Sequence, residues 1–263
     1  MSRSSLAALA LAASMALHAG GAKADELRYD LVPDGAITLG AVGLLAADRL
    51  LQPSLAPDHC NFCGGNAFDR SLTESLRWED HSLAAKLSDL GAFVLLPASA
   101  MGYAFIAGGG HAGLRDTLVL VETTALTIVA VDAIKYSVAR QRPMVLYLPE
   151  TEPARLRHPR EANVSFPSGH SAIAFELVAT TATLADLHGR DPLPIWLVGL
   201  PIASTVAYLR VAGVWHWTTD VLAGAAIGTA AGAFLPRLLH GRSDRRASSA
   251  GTTATPLVLG GTW

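Results

Sequence analysis

Long runs of uncharged residues recur along this 263-residue chain, and they limit its fold more than any other feature. A helix needs about 20 mostly apolar residues to cross a bilayer, and the longest run holds 21. The five runs, two of which carry one acid each, cover residues 90–110, 117–131, 171–185, 192–209 and 221–236. They predict an all-α membrane helical bundle. The acids of the two mixed runs, Glu122 and Glu176, are expected to face its interior because charge in hydrocarbon is costly.

A sixth candidate helix lies earlier, where 13 uncharged residues, 35–47, stand between two aspartates. This run is short for a span, so an interfacial or re-entrant helix explains it equally well. The predicted bundle therefore contains five to six helices. Gly224 and Gly228 have the spacing that lets helices approach closely in lipid, and they predict packing of the last helix inside its own bundle.

Charge is scarce and balanced: 16% of the residues are charged, with 20 Lys and Arg against 22 Asp and Glu. Proteins that bind nucleic acid use a surplus of cations to neutralise phosphates, and this chain has none to offer. Nucleic acid is therefore excluded as an expected partner. The expected surroundings are the membrane bilayer.

The two ends of the chain predict segments outside the bundle. An apolar run, 6–17, follows Arg3 and precedes Ala22-Lys23-Ala24, which is the layout of a secretory signal peptide cleaved after Ala24. An uncleaved N-terminal anchor is the alternative, and either would export the segment that follows. We expect a signal peptide (1–24), an N-terminal segment with the short apolar helix and a Cys-x-x-Cys loop (25–87), a helical core (88–240) and a flexible C-terminal tail (241–263).

The only two cysteines, Cys60 and Cys63, form a single Cys-x-x-Cys pair beside two glycines. One pair cannot supply the four ligands of a structural zinc site. In an exported chain a local disulfide is the favoured interpretation, and thiol redox chemistry is the alternative.

Three polar clusters lie at the ends of the apolar runs. In the first, Lys135 and Arg142 are seven residues apart, or two helical turns, so both project from one helix face before Pro143 ends the helix. Two cations at one place suit an anion with several charged oxygens, and arginine offers a fork of donors. A basic flank at the membrane interface is the alternative explanation.

The second cluster is Pro167-Ser168-Gly169-His170, directly before the run at 171–185. Proline favours the first helical position, so the amides of Ser168 and Gly169 are expected to point out of a helix N-terminus and bind an anion. His170 would lie in the first turn, placed to give a proton to a leaving oxygen.

The third cluster runs from Arg210 through His216 to Asp220. His216 and Asp220 are one helical turn apart, so the carboxylate is expected to accept the imidazole Nδ1–H and leave Nε2 free to attack. Trp215 and Trp217 flank the histidine, as tryptophans at a membrane interface do. The alternation of spans places all three clusters on one side of the membrane.

Together the clusters resemble the three-part signature of the type 2 phosphatidic acid phosphatase superfamily, which also contains class A acid phosphatases and vanadium haloperoxidases. The resemblance is close from Lys135 to Asp220, although Leu209 stands where the third motif usually has serine. It implies that His216 attacks phosphorus and forms a phosphohistidine, that Asp220 orients His216, and that His170 protonates the leaving alkoxide.

The same resemblance implies an anion site that needs no metal ion and no cofactor. Its phosphate-binding groups are Lys135, Arg142, Arg210 and the amides of Ser168 and Gly169. The cations and the helix N-terminus would hold the phosphoryl oxygens as charge shifts in the transition state.

The apolar runs discriminate among the activities in this superfamily, because the resemblance implies that class A acid phosphatases and haloperoxidases are soluble, whereas this chain has runs near span length. We expect a metal-independent phosphatase that acts on a lipid phosphate or a polyprenyl diphosphate in a bacterial inner membrane. The alternatives are a vanadium-dependent haloperoxidase, a broad-specificity acid phosphatase and a non-enzymatic lipid-binding protein. After an exported N-terminus, the site faces the periplasm if residues 35–47 do not cross, which is the expected side, and the cytoplasm if they do.

Overall fold

The computed structural model describes residues 31–153 and 161–241, and within these ranges the regular elements are helices, with no strand. In chain order they are α1 (Leu31–Leu55), α2 (Ala67–Leu76), α3 (His81–Leu90), a π-helix (Gly91–Leu95), α4 (Leu96–Val138), α5 (Met144–Tyr147), α6 (Gly169–Leu187), α7 (Leu193–Ala212) and α8 (Thr218–His240). The predicted all-α bundle is confirmed. The predicted signal peptide, and the predicted tail after its first residue, lie outside the described residues.

Three helical units of the described chain are long and apolar enough to cross a membrane: the continuous unit His81–Val138, α7 and α8. The first is a hairpin of two legs, because Gly109 leaves the helical conformation with a φ of 72°, which glycine adopts without a Cβ clash. Beyond this turn the chain doubles back, since a Cβ at Gly113 would lie 2.8 Å from Phe105 Cα. The predicted spans 90–110 and 117–131 are therefore the two legs of one hairpin.

The centre of the bundle is α6, whose side chains are mostly buried and which packs against α4, α7 and α8. The predicted packing of the last helix is confirmed, because a Cβ at Gly228 would overlap the Ala172 carbonyl oxygen. Glu122 and Glu176 are fully buried, as predicted. Glu176 accepts hydrogen bonds from two threonine hydroxyls at 2.8 and 2.6 Å, which satisfies its polar atoms inside the bundle.

The first helix is longer than the predicted apolar run: α1 has 25 residues, a length of about 37 Å. It lies along the second leg of the hairpin. Near its start Asp34 is 3.7 Å from His240, at the end of α8, and near its end Arg49 donates a 3.2 Å hydrogen bond to Asp132. The charges that interrupt its apolar pattern are paired with other helices, which a local pattern does not reveal.

Large apolar side chains point outward from the bundle. Leu50 on α1 is 81% exposed, and Leu238 on α8 is 78% exposed. Contact of such a surface with water is unfavourable, whereas contact with lipid tails is not. The outer surface thus suits the bilayer that the apolar runs predict.

The N-terminal segment is integrated with the helical core. The boundary predicted between residues 87 and 88 falls within α3, which continues through the π-helix into α4. Ala84 of α3 is fully buried against Leu209 and Ala212 of α7. The segment before residue 88 therefore helps to build the end of the bundle where the polar clusters lie.

Candidate active site

The three polar clusters meet at one end of the bundle, around a pocket of about 560 Å³. Six of the predicted site residues line it: Lys135, Arg142, Gly169, His170, Arg210 and His216. They come from the end of α4, the loop after it, the start of α6, the end of α7 and the loop before α8. Helix ends on one face of the bundle thus bring together cations and imidazoles that are distant in sequence.

His216 is oriented by a backbone carbonyl. Its Nδ1 lies 2.7 Å from the Ser165 carbonyl oxygen, which can only accept, so Nδ1 carries the proton. Nε2 therefore holds a lone pair, toward which Arg142 Nη1 points at 3.1 Å. Burial, and then the positive charges of Arg142, Arg210 and Lys135, lower the pKa of His216 well below its usual value of 6.5. The imidazole is therefore neutral at neutral pH, with its Nε2 lone pair directed into the pocket.

Asp220 lies behind this histidine. The one-turn spacing predicts that its carboxylate accepts the Nδ1 proton of His216, and the structure shows that it does not. Its Oδ2 is 3.7 Å from His216 Nδ1, because the Ser165 carbonyl occupies that position. The carboxylate instead accepts from the Ser165 hydroxyl at 2.6 Å and from the Trp217 amide at 2.9 Å. Asp220 thus acts on His216 through Ser165 and through its charge.

Arg140, which the sequence interpretation did not select, joins two buried carboxylates. Its guanidinium donates to Asp220 at 2.5 Å and to Asp69 at 2.6 Å. Asp69 also accepts from the amide and hydroxyl of Thr219, at 2.9 and 2.8 Å. Both carboxylates are fully buried, so Arg140 neutralises charge directly behind His216. The sequence feature that could have indicated Arg140 is its position in the first cluster, between Lys135 and Arg142.

Cys60 and Cys63 form a disulfide, and the loop that it closes supports the strand-like segment around Arg140. The Asn61 amide donates to the Ala139 carbonyl at 2.9 Å, and the Gln141 amide donates to the Phe62 carbonyl at 3.0 Å. The disulfide loop therefore lies at the same end of the bundle as the pocket.

Each predicted phosphate-binding cation has a carboxylate partner from outside the three clusters. Lys135 Nζ is 2.7 Å from Asp132, and Arg142 and Arg210 are each 3.4 Å from an acid, Glu161 and Asp89 respectively. These acids hold the long cationic side chains in place. None was predicted, because they lie in segments without a motif.

The two tryptophans beside His216 differ in burial: Trp215 is half-buried and Trp217 is buried. Trp217 is fully buried and donates its indole N–H to the Gln141 carbonyl at 2.7 Å, so its ring packs against protein and not against lipid. The Trp215 ring lies 5.2 and 5.0 Å from the guanidinium carbons of Arg142 and Arg210. This distance allows cation–π attraction, which helps to fix both arginines over the pocket.

The second cluster begins α6 as predicted, but the backbone amides of Ser168 and Gly169 are not equally placed to bind an anion. The Ser168 amide donates to the Asp220 carbonyl at 3.0 Å and its hydroxyl caps the helix, so it is not placed to bind an anion. Gly169 lies in the pocket, and a Cβ there would be 3.1 Å from Lys135 Nζ. The absence of a side chain therefore leaves room for an anion between the backbone and the lysine.

A second cavity, of about 220 Å³, adjoins the pocket and is apolar. Val42, Leu45, Phe93, Ile128 and Ile173 line both. They come from α1, the π-helix, α4 and α6, so the cavity leads away from the cations into the bundle. Among the described residues, no group of three His, Cys, Asp or Glu side chains is placed to hold a metal ion.

Comparison with known proteins finds a family model and several relatives that match part of this chain. Residues 116–244 match the model described as the PAP2 superfamily. The undecaprenyl-diphosphatase of Sulfolobus acidocaldarius is 33% identical over 112 residues, which are 43% of this chain and 50% of that protein. The lipid A 1-phosphatase of Porphyromonas gingivalis is 40% identical over 79 residues, 30% of this chain and 17% of that protein. This chain thus spans half or less of the length of these relatives.

Among the solved structures that match is the transmembrane PAP2-type phosphatidylglycerolphosphate phosphatase of Bacillus subtilis. It aligns with 78% of this chain and 94% of its own, at 22% identity and a TM-score of 0.46.

Proposed function

We propose that this chain is a membrane phosphatase of the PAP2 superfamily, whose model its residues 116–244 match, and that it hydrolyses a lipid phosphate or a polyprenyl diphosphate without a metal ion. The observation that carries this proposal is the placement of His216 Nε2, whose lone pair lies in a pocket with three cations from three separate segments. The names of the two curated relatives, undecaprenyl-diphosphatase and lipid A 1-phosphatase, support it.

In the first step of the proposed mechanism, His216 Nε2 bonds to phosphorus while the bond from phosphorus to the leaving oxygen breaks. His170 gives its proton to that oxygen, so the product leaves as an alcohol or as a phosphorylated alcohol. The His216 ring becomes positively charged, and the buried carboxylate of Asp220, 3.7 Å from Nδ1, stabilises that charge.

In the second step water attacks the phosphohistidine. His170 takes a proton from the water, the bond between phosphorus and Nε2 breaks, and neutral His216 and inorganic phosphate result. Lys135, Arg142 and Arg210 attract the equatorial oxygens in both transition states, with the Gly169 amide at the helix N-terminus. These groups supply the positive charge that phosphoryl transfer requires.

The apolar cavity beside the pocket supports a lipid substrate. A phosphate held by the three cations would place its organic group toward Phe93 and Ile128, where the two cavities join. An acyl or prenyl chain gains about 0.8 kcal/mol for each buried CH₂ group, so such a cavity favours a lipid over a small soluble ester. The same feature disfavours the haloperoxidase alternative, whose halide and peroxide substrates have no apolar tail.

The test is phosphate release by the purified protein in detergent, with and without EDTA, from phosphatidic acid, phosphatidylglycerophosphate, undecaprenyl diphosphate and lipid A. We expect release from at least one lipid, unchanged by EDTA and reduced at least about 1,000-fold in His216→Ala. His111→Ala, an exposed histidine at the hairpin turn, is the matched control. Activity in His216→Ala would contradict the mechanism, and bromide oxidation by peroxide after vanadate loading would favour the haloperoxidase.

We also propose that the site faces the periplasm of an inner-membrane protein. Disulfides persist in the periplasm and are rare in the cytosol, and the disulfide loop lies at the end of the bundle that holds the site. Since α1 extends from the opposite end to the site, its start would then lie in the cytoplasm. If α1 crosses the membrane, a cleaved signal peptide would export that start instead and the site would face the cytoplasm; we propose the periplasmic site.

A further inference from the structure

An acid outside the three clusters contacts two of the predicted site residues. Asp89, in the last turn of α3, lies with Oδ1 2.7 Å from His170 Nε2 and 3.4 Å from Arg210 Nη1. The Phe93 ring meets the His170 ring edge to face at a centroid distance of 4.7 Å. His170 is therefore held between a carboxylate and an aromatic ring, both from the helical unit that precedes the first cluster.

The helix geometry around Asp89 explains how it reaches the site. The π-helix Gly91–Leu95 begins two residues later, and such a turn widens the helix and changes the direction of the side chains next to it. Gly91 also lets this segment approach α7, since a Cβ there would lie 2.6 Å from a Val206 methyl. Val206 is one turn before Arg210, so the close approach brings Asp89 beside both Arg210 and His170.

We propose that Asp89 is a positioning residue for leaving-group protonation: it fixes the His170 ring through Nε2 and stabilises the positively charged ring, so that Nδ1 delivers the proton. This inference rests on the proposed phosphatase function and extends it. Because Nε2 is committed to Asp89, Nδ1 is the nitrogen left to face the leaving oxygen.

The location of each proton during the reaction follows from this assignment. In the reactive complex with substrate, the charged ring, with a proton on each nitrogen, pairs with ionised Asp89. When the bond from phosphorus to oxygen breaks, the Nδ1 proton goes to the leaving oxygen and the ring becomes neutral, with Nε2–H still donated to Asp89. The attacking water later returns a proton to Nδ1. Asp89 stays ionised throughout.

The surroundings of His170 show why a carboxylate is needed there. Burial, and then the charge of Arg210, lower the pKa of His170 to about 3 in the free protein, and Lys135 acts in the same direction. Asp89 opposes them, as a bound phosphate dianion would. The charged groups that act most strongly on His170 are Asp89 from α3, Lys135 from α4 and Arg210 from α7, and of these three Asp89 is the negative one. Asp132 and Glu161 line the same pocket, where they pair with Lys135 and Arg142. Without Asp89, the acid form of His170 would be much rarer.

The experiment compares Asp89→Asn with wild type on two leaving groups in detergent: an alkyl phosphate, for which phosphatidic acid serves, and p-nitrophenyl phosphate. An alkoxide must be protonated as it leaves, whereas p-nitrophenolate leaves without help. We expect kcat to fall about 10- to 100-fold on the alkyl phosphate and less than about 3-fold on the aryl phosphate. Loss of the carboxylate also lowers the pKa of the His170 acid, so the alkaline limb of kcat moves about 1 pH unit or more toward acid.

Glu79→Gln, an exposed acid on the same side of the bundle, is the control and should match wild type on both substrates. Asp89→Glu keeps the charge and should restore most of the alkyl activity; it carries the test if Asp89→Asn does not fold. Equal losses on both substrates, or a gain on both, would overturn the inference. If wild type hydrolyses neither phosphate nor any lipid in the panel, the proposed function fails instead.

Discussion

At the scale of single residues, the proposed chemistry depends on which nitrogen of His216 carries a proton. A backbone carbonyl decides this, since Ser165 can only accept from Nδ1 at 2.7 Å. Burial and three neighbouring cations then disfavour a second proton on Nε2. The same cations that would attract a phosphate therefore also keep His216 neutral.

The lowered pKa of His216 has a direct spectroscopic consequence. The neutral form is favoured in the folded protein, so protonation of Nε2 occurs only well below pH 6.5. At pH 6, where free histidine is mostly charged, we expect a neutral His216 ring with its proton on Nδ1. Nitrogen-15 NMR of the histidine-labelled protein measures this, and the spectrum of His216→Asn identifies the signal. A charged ring at pH 6 would contradict the prediction.

Arg140 predicts a stability effect, because it is the shared partner of two fully buried carboxylates. Arg140→Met leaves both without a cation, and we expect about 3 kcal/mol of lost stability, since breaking a buried ion pair costs about that much. Arg140→Lys keeps the charge but not the forked guanidinium that reaches Asp69 and Asp220 together. Its stability should therefore lie between that of Arg140→Met and that of wild type. Thermal unfolding in detergent measures the order. Equal stability of Arg140→Met and wild type would refute the role.

At the scale of secondary-structure elements, the site depends on how closely α8 packs against α6. A Cβ at Gly232 would lie 2.6 Å from the Glu176 carbonyl oxygen, and one at Gly224 would overlap the Ser168 carbonyl. Ser168 caps α6 beside the pocket, and Asp220 lies in the first turn of α8. The small residues on α8 thus set the distance between the second and third clusters.

Gly228→Ala tests this packing. Its added methyl group would overlap the Ala172 backbone, which cannot move aside as a flexible side chain could, so we expect a loss of about 3 kcal/mol. Gly102→Ala is the matched control: it lies within α4 with nothing within 4 Å of the added Cβ, so it should be neutral or stabilise by about 0.5–1 kcal/mol. Folded yield and melting temperature in detergent distinguish the two. Similar effects of both variants would show that close packing is unimportant.

At the scale of the whole molecule, the number of helices that run the length of the bundle decides which compartment the site faces. Within residues 31–153 and 161–241, six do so: α1, the two legs of the hairpin, α6, α7 and α8. The proposed periplasmic site therefore requires the end of α8 to lie in the cytoplasm. The Cys60–Cys63 disulfide at the opposite end agrees with this orientation.

Reporter fusions test the orientation. Green fluorescent protein joined after Gly241 should fluoresce, because that end is expected in the cytoplasm, and alkaline phosphatase at the same position should be inactive. Alkaline phosphatase joined after Leu148, at the site end, should be active. The reverse pattern would place the site in the cytoplasm and would restore the predicted signal peptide.

The sequence by itself determined the all-α membrane bundle and the members of the pocket that belong to motifs, Lys135, Arg142, Gly169, His170, Arg210 and His216. Both results rest on local patterns, namely apolar runs long enough to span a bilayer and ionisable residues at helix ends. The tertiary structure alone decided what surrounds them. The partner of Thr219, Asp69, is 150 residues away in the chain, and the partner of His170, Asp89, is 81 away. No local pattern specifies such pairs, because they form only when helices from distant parts of the chain pack side by side.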